Sequence, residues 1–164
     1  MLRRLIAISM LTAAVMGPGS ALAGKPGRSQ YVAKADYVAK ADAICASEGK
    51  LIAPYARRYA QATSGKSPNY GAAAIALSES NAVRSASLAK LKSLSAPAGA
   101  RSKLAGIWKT FDRLITDTDE VAVALGGNDT SSVAYFDADA ELTAGRYELL
   151  AEDFGFKVCG APSG

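Results

Sequence analysis

Acidic residues gather at Asp117, Asp119 and Glu120, and again at Asp137, Asp139 and Glu141. Clustered carboxylates are the raw material of general acid–base chemistry and of hard-cation sites. A calcium loop needs a glycine at its sixth position to turn sharply, but Leu142 stands there. On a helix, residues two apart point about 200° from each other, so Asp137 and Asp139 cannot chelate together. Both clusters therefore read as solvated acidic faces, and no metal is expected. The chain contains no histidine. That removes the Ser-His-Asp and Cys-His pairs, the HExxH zinc site, a histidine haem ligand and the Glu-x-x-His of di-iron bundles. There is no Walker loop and no GxGxxG fingerprint. A non-enzymatic protein with no catalytic residue and no cofactor is expected. A carboxylate-dependent hydrolase survives only as a residual reading.

The aromatic residues carry more promise. Tyr37, Tyr55, Tyr59, Tyr70 and Tyr147 fall on inward stripes, and a buried phenol needs a partner. Tyr37, Tyr55, Tyr59, Tyr147 and Trp108 form a possible ligand cleft between helices. The plainer reading makes the tyrosines boundary residues with wet tips and Trp108 a core residue beside Ile107. Glu48, Asn81 and Arg84 interrupt apolar stripes. They predict either a helix leaning off the core or an internal polar network, in which a Glu48–Arg84 pair is conceivable. Lys90, Lys92, Arg101 and Lys103 surround one turn and suit an anionic envelope polymer. No recognition motif supports nucleic acid.

The elements that must position these residues are helical. From Tyr31 onward the chain is Ala-rich and apolar residues recur with a period near 3.6, with no sustained alternation. Helix 1 is expected from about Tyr31 or Asp36 to Ala62, with a kink or break at Pro54. Its stripe is Tyr37, Ala41, Ile44, Cys45, Glu48, Leu51, Ile52, Tyr55 and Tyr59. Helix 2 covers about Tyr70 to Ser95. Helix 3, about Ala100 to Leu125, has the cleanest stripe, from Leu104 through Trp108 and Phe111 to Leu125. Gly126-Gly127 should stop it in the left-handed conformation. Asp129 or Thr130 caps helix 4, which runs to about Phe154. The fold expected is all-α, an up-down antiparallel four-helix bundle.

Arg3 and Arg4, the apolar run Leu5 to Met16 and Ala21-Leu22-Ala23 make residues 1–23 a signal peptide, cleaved near Ala23. Residues 24–30 are expected as a flexible lead-in, 31–160 as one domain of sufficient size for a real core, and 161–164 as a tail. The mature chain should be exported, with no membrane span, as a monomer. In an oxidising compartment the pair Cys45 and Cys159 reads as one disulfide joining helix 1 to the C-terminal tail. Closing a loop of this size is worth about 4.7 kcal/mol in the chain-entropy picture. Charge is polarised. Residues 25–109 carry fourteen Lys or Arg against four acids, and residues 110–164 carry three against eleven. The balance favours the two halves attracting each other over a dedicated polyanion site.

The hexapeptide YVAKAD occurs twice in succession, at 31–36 and 37–42. Six residues rotate a helix by about 600°, so the copies face different directions. The helix that matters is expected to start at the second copy. Tyr37-Val-Ala-Lys-Ala-Asp42-Ala-Ile44-Cys45, the Leu88, Leu91, Leu94 and Pro97 series, a Gly-Asn-Asp turn and Phe154-Gly155-Phe156-x-x-Cys159-Gly160 together resemble an uncharacterised group of small exported actinobacterial helical proteins. Many of that group are lipid-anchored, whereas this chain lacks a cysteine at the cleavage site. The resemblance spans Tyr37 to Gly160, implies that Cys45 and Cys159 pair, and implies no catalytic residue. The function expected is binding or interaction in the cell envelope, with an envelope protein, a polymer or a small apolar ligand as partner. An inter-helix carrier of a small apolar ligand is the alternative.

Overall fold

The computed structural model describes residues 28–161, with side chains from Lys34 onward. The signal-peptide expectation and the ends of the expected lead-in and tail, 24–27 and 162–164, lie outside the described residues. Four helices follow in order: α1 (Arg28–Thr63), α2 (Tyr70–Ser93), α3 (Arg101–Gly126) and α4 (Thr130–Phe154). They form an all-α up-down bundle. No described helix is long and apolar enough to cross a membrane.

Each boundary has a local cause. The Asn69 side chain accepts the Ala72 N–H at 2.9 Å and starts α2. Leu94 then turns extended ahead of Pro97, which ends it. The Asp129 carboxylate accepts the Ser132 N–H at 3.1 Å and starts α4. The Ser132 and Ser131 hydroxyls add to that bond and hold the Asp129 carboxyl down to about 2. Gly155, at φ 103°, closes α4 in the left-handed conformation. The turn between α3 and α4 differs from expectation. Gly127 stays right-handed at φ −83°, and the left-handed position falls on Asn128 at φ 55°. Asparagine tolerates that region because its short polar side chain can bond locally.

α1 starts at Arg28, inside the expected lead-in, and takes in the first YVAKAD copy as well as the second. It also runs through Pro54 without a break. Pro54 is exposed, so the carbonyl that loses its amide partner has water as a substitute.

α1 packs on α2, α2 on α3 and α3 on α4, but no Cα of α1 comes within 8 Å of one in α4. Three seams of the bundle are close-packed; the fourth is wider, and α1 meets α4 across its tail end through side chains, the Tyr37 and Phe154 rings 6.1 Å apart. The C-terminal tail occupies one end of the wider seam. The Asp42 carboxylate, on α1, accepts the N–H groups of Lys157, Val158 and Cys159 at 2.9, 3.0 and 3.0 Å. Cys159 is bonded to Cys45, one turn further along α1. On the other side Gly160 rests on α4. A Cβ added there would lie 2.5 Å from the Ala151 Cβ and 3.3 Å from the Glu148 Cα. The tail thus packs on both α1 and α4 and ties them together at this end.

Two apolar clusters fill the interior. The larger, at the tail end, gathers Tyr37, Leu88, Leu91, Leu104, Ile107, Trp108, Phe111, Tyr147, Phe154 and Phe156. Phe156 anchors the tail there, its ring 5.0 Å from Phe154 and 5.6 Å from Trp108. Each large apolar side chain so buried contributes about 1.5–3 kcal/mol. The smaller cluster, at the opposite end, centres on Ala73, Val121 and Leu125, with Tyr59 and Phe136 against it.

Candidate functional site

The wider seam forms a groove of about 510 Å³. Its α1 wall is Glu48, Gly49, Ile52, Ala53 and Ala56, and its α4 wall is Ala144, Tyr147 and Glu148. Arg84, Phe111 and Leu114 of α2 and α3 form the floor, and Val158 to Ala161 close the tail end beside Cys45. The small residues of both walls follow from the sequence: the alanines and glycine facing across the gap cannot fill it. This explains the half-buried state of the second half of the α1 stripe. Leu51, expected to face inward, is 53% exposed and does not line the groove.

Polar groups meet on the groove floor. One carboxylate oxygen of Glu48, Oε2, is shut off from water with no hydrogen-bond partner among the described residues. Burial pushes the Glu48 carboxyl up to about 7, tempered by the Ser87 hydroxyl and the Arg84 charge. The Ser87 hydroxyl is near enough to temper it but not aligned for a hydrogen bond, so burial decides the direction. Arg84 loses some basicity through burial, opposed by Glu48 and Asp119. Glu48 and Arg84 feel each other's charge but form no ion pair within 4.0 Å. A gap separates the two half-buried side chains.

Arg84 is held by an internal network. It donates to the Asn81 Oδ1 at 2.9 Å, as does the Thr118 hydroxyl at 2.9 Å. The Asn81 Nδ2 donates to the Asp119 carboxylate at 2.7 Å. Asn81 is 2% exposed. Of the two expectations for these interrupted stripes, the structure shows the internal polar network. It lies between the two apolar clusters.

The Asp117 reading needs correction. Asp117 is 1% exposed rather than part of a solvated face. It accepts the Thr143 hydroxyl at 2.7 Å, and the Arg113 Nε lies 2.6 Å from its Oδ1, paired in charge but not aligned for a hydrogen bond. Residue 117 faces α4, where helix 3's acidic run turns inward past its apolar stripe. Among the described residues no group of three His, Cys, Asp or Glu is placed to hold a metal.

The five aromatic cleft candidates are not brought together. Tyr147 lies on the groove, stacked on Phe111 at 4.8 Å, and its phenol is pushed up by burial and then by the Glu48 and Asp42 charges. Tyr37 and Trp108 belong to the tail-end core and line a different depression. Tyr59 joins the opposite cluster, where burial and the Asp137 charge raise its phenol. Tyr55 is half-buried beneath the Arg58 guanidinium, 4.8 Å from its ring centre. Helices this long spread residues of one stripe along the whole bundle, so a shared stripe does not make a shared cleft.

Sequence reasoning missed Asp42 as the tail's anchor. A signal for it existed: Asp42 stands three residues before Cys45, on the same helix face. Ser87 and Gly160 had none. The outer face of α4 also exposes Tyr135, Leu142 and Leu149, spaced by seven. The chain matches no protein-family model, and no curated protein or solved structure is similar to it at a significant level.

Proposed function

We propose that this is an exported, non-enzymatic binding protein of the cell envelope, whose ligand is a small, mainly apolar molecule seated in the α1–α4 groove. The observation that carries the reading is the groove of about 510 Å³ left between α1 and α4, with Glu48 and Arg84 both on its otherwise mainly apolar lining. Polar groups on such a lining are commonly satisfied by ligands or water. The ligand's polar group would donate to Glu48 and accept from Arg84, as an amide or hydroxyl does. Its apolar body would lie along Ile52, Ala53, Ala56 and Leu114. The groove is in the size range of small-molecule sites. The intramolecular disulfide is compatible with an oxidising, exported setting.

Native mass spectrometry of protein isolated from its own host tests this. A reproducible non-covalent adduct is expected, lost when Ala144→Trp fills the groove. A mass equal to the bare chain would count against it. N-terminal sequencing of the same protein should start at Gly24 if the leader is cleaved as expected. Interaction with an envelope protein is a second reading, favoured by the Tyr135, Leu142 and Leu149 stripe on α4.

A further inference from the structure

The corner between α2 and α3, at the tail end of the bundle, holds a separate depression of about 380 Å³. Its floor is apolar: Tyr37, Leu91, Leu104 and Trp108, each 4% exposed or less. Its rim is mostly cationic, with Lys92, Arg101, Lys109 and Asp112. Asp112 is occupied by Lys92 at 3.2 Å. Among the described residues, neither Arg101 nor Lys109 has a carboxylate within 4.0 Å. Arg101, Ala105 and Lys109 recur every four residues along α3 and so share one face, with only the Ala105 methyl between the two charges.

A third feature adds to the same field. α3 opens at Ala100 with no side-chain cap, so the N–H groups of its first turn have no capping acceptor. The positive end of the helix dipole therefore lies beside Arg101. Two cations without partners and an uncapped helix start all favour a negative group. Between them Leu94 and Ala96, only partly buried, and the exposed Ala105 gain from an apolar one. A bare inorganic anion would leave these side chains wet, and a neutral lipid would leave the rim unsatisfied.

We propose that this corner binds a soluble single-chain carboxylate amphiphile. Its carboxylate lies between Arg101 and Lys109, where guanidinium geometry suits a bidentate pair. Its acyl chain covers Leu94, Ala96 and Ala105, above the buried floor of Leu91, Leu104 and Trp108. The two cations start about 12 Å apart along the helix axis, a span their long side chains can close onto one head group. A sheet of anionic lipid would also have to approach Asp112 on the rim and Asp153 beside Lys103. The site is independent of the α1–α4 groove.

Trp108 is the sole tryptophan and lines this depression but not the groove, so its fluorescence reports this site alone. Decanoate, titrated below its micellar concentration into the full mature chain, should give a saturable change in emission. Decanol and acetate should give none. Arg101→Gln and Lys109→Gln, both at exposed positions, should each weaken decanoate about tenfold, the loss expected for a charge-assisted hydrogen bond. Lys40→Gln, on α1, should leave it unchanged, and Ala105→Phe should abolish it. Equal responses to decanol and decanoate, or no effect of either cation variant, would overturn the proposal. Phosphatidylglycerol vesicles form a second arm. A response to vesicles but not to decanoate would assign the surface to a membrane and overturn the soluble-ligand site.

Discussion

Asp42 accepts the backbone N–H of Cys159 at 3.0 Å, one turn before Cys45, to which Cys159 is covalently bonded. The carboxylate and the disulfide thus hold the same residue from two points on one helix face. The tail they hold also rests on α4 through Gly160, so it ties α1 to α4 at that end of the seam.

The repeated hexapeptide supplies an internal control. Asp36 occupies the same place in the first copy as Asp42 in the second, yet it meets only Lys40, in an exposed pair. Asp42→Asn should lower unfolding stability by about 1–2 kcal/mol, since three hydrogen bonds lose their charged acceptor but remain near solvent. Asp36→Asn should change it by less than about 0.5 kcal/mol. Denaturant unfolding of both variants, with the disulfide intact, checks the contrast. Equal losses would remove the anchoring role.

Gly160 has φ 79°, a conformation that strains any other residue, and it also lacks room for a side chain. Gly155 has φ 103° but open space around it. Gly155→Ala should therefore cost about 1–2 kcal/mol from backbone strain alone. Gly160→Ala adds overpacking against Ala151 and should cost about 2–4 kcal/mol. Thermal unfolding of the two variants ranks them directly, and the reverse order would contradict the Gly160 contact.

Stability should depend on pH through Glu48. Its folded carboxyl titrates near 7, above the ordinary value of 4.5 that applies in the unfolded chain. The folded state then binds the proton more tightly, so this group's contribution is fully present below pH 4.5 and is lost as pH rises to about 7. Glu48→Gln should remove that fall and leave the variant the more stable protein at pH 8. A parallel pH profile for both proteins would show that Glu48 is not the source.

Asn81 joins α2 to α3 through two partners, Thr118 and Asp119, and holds Arg84 of its own helix. Asn81→Ala leaves the Thr118 hydroxyl, the Asp119 carboxylate and the half-buried Arg84 guanidinium without this partner and should cost about 1–3 kcal/mol, more than a surface asparagine would. Asn81→Leu should not restore stability, because the loss lies in unpaired polar groups rather than missing volume. Recovery by leucine would mean that the network is dispensable.

The periodic stripes of α3 and α4 were legible because both helices bury one face against continuous neighbours. Leu104, Ile107, Trp108, Phe111, Val121, Tyr147 and Phe154 all lie where their spacing puts them. α1 was read less well. Its stripe continues past Cys45 on paper, but Leu51 is exposed and Ile52 only half-buried, since burial also needs a second helix to cover them. Asp117 was misread for the complementary reason: an acidic letter says nothing about the Thr143 hydroxyl waiting on the facing helix.

The amino-acid sequence by itself determined the four helices, most of their ends and the disulfide partners, because periodicity, caps and cysteine count are local or pairwise properties of a chain. Only the tertiary structure decided that the fourth seam stays wider. It also decided that the tail packs between α1 and α4, that Gly160 fits against Ala151, and that small residues meet across the gap. The same packing placed Glu48 and Arg84 on one groove and scattered the tyrosines, since no helix stripe records which height of the bundle its residues will share with another.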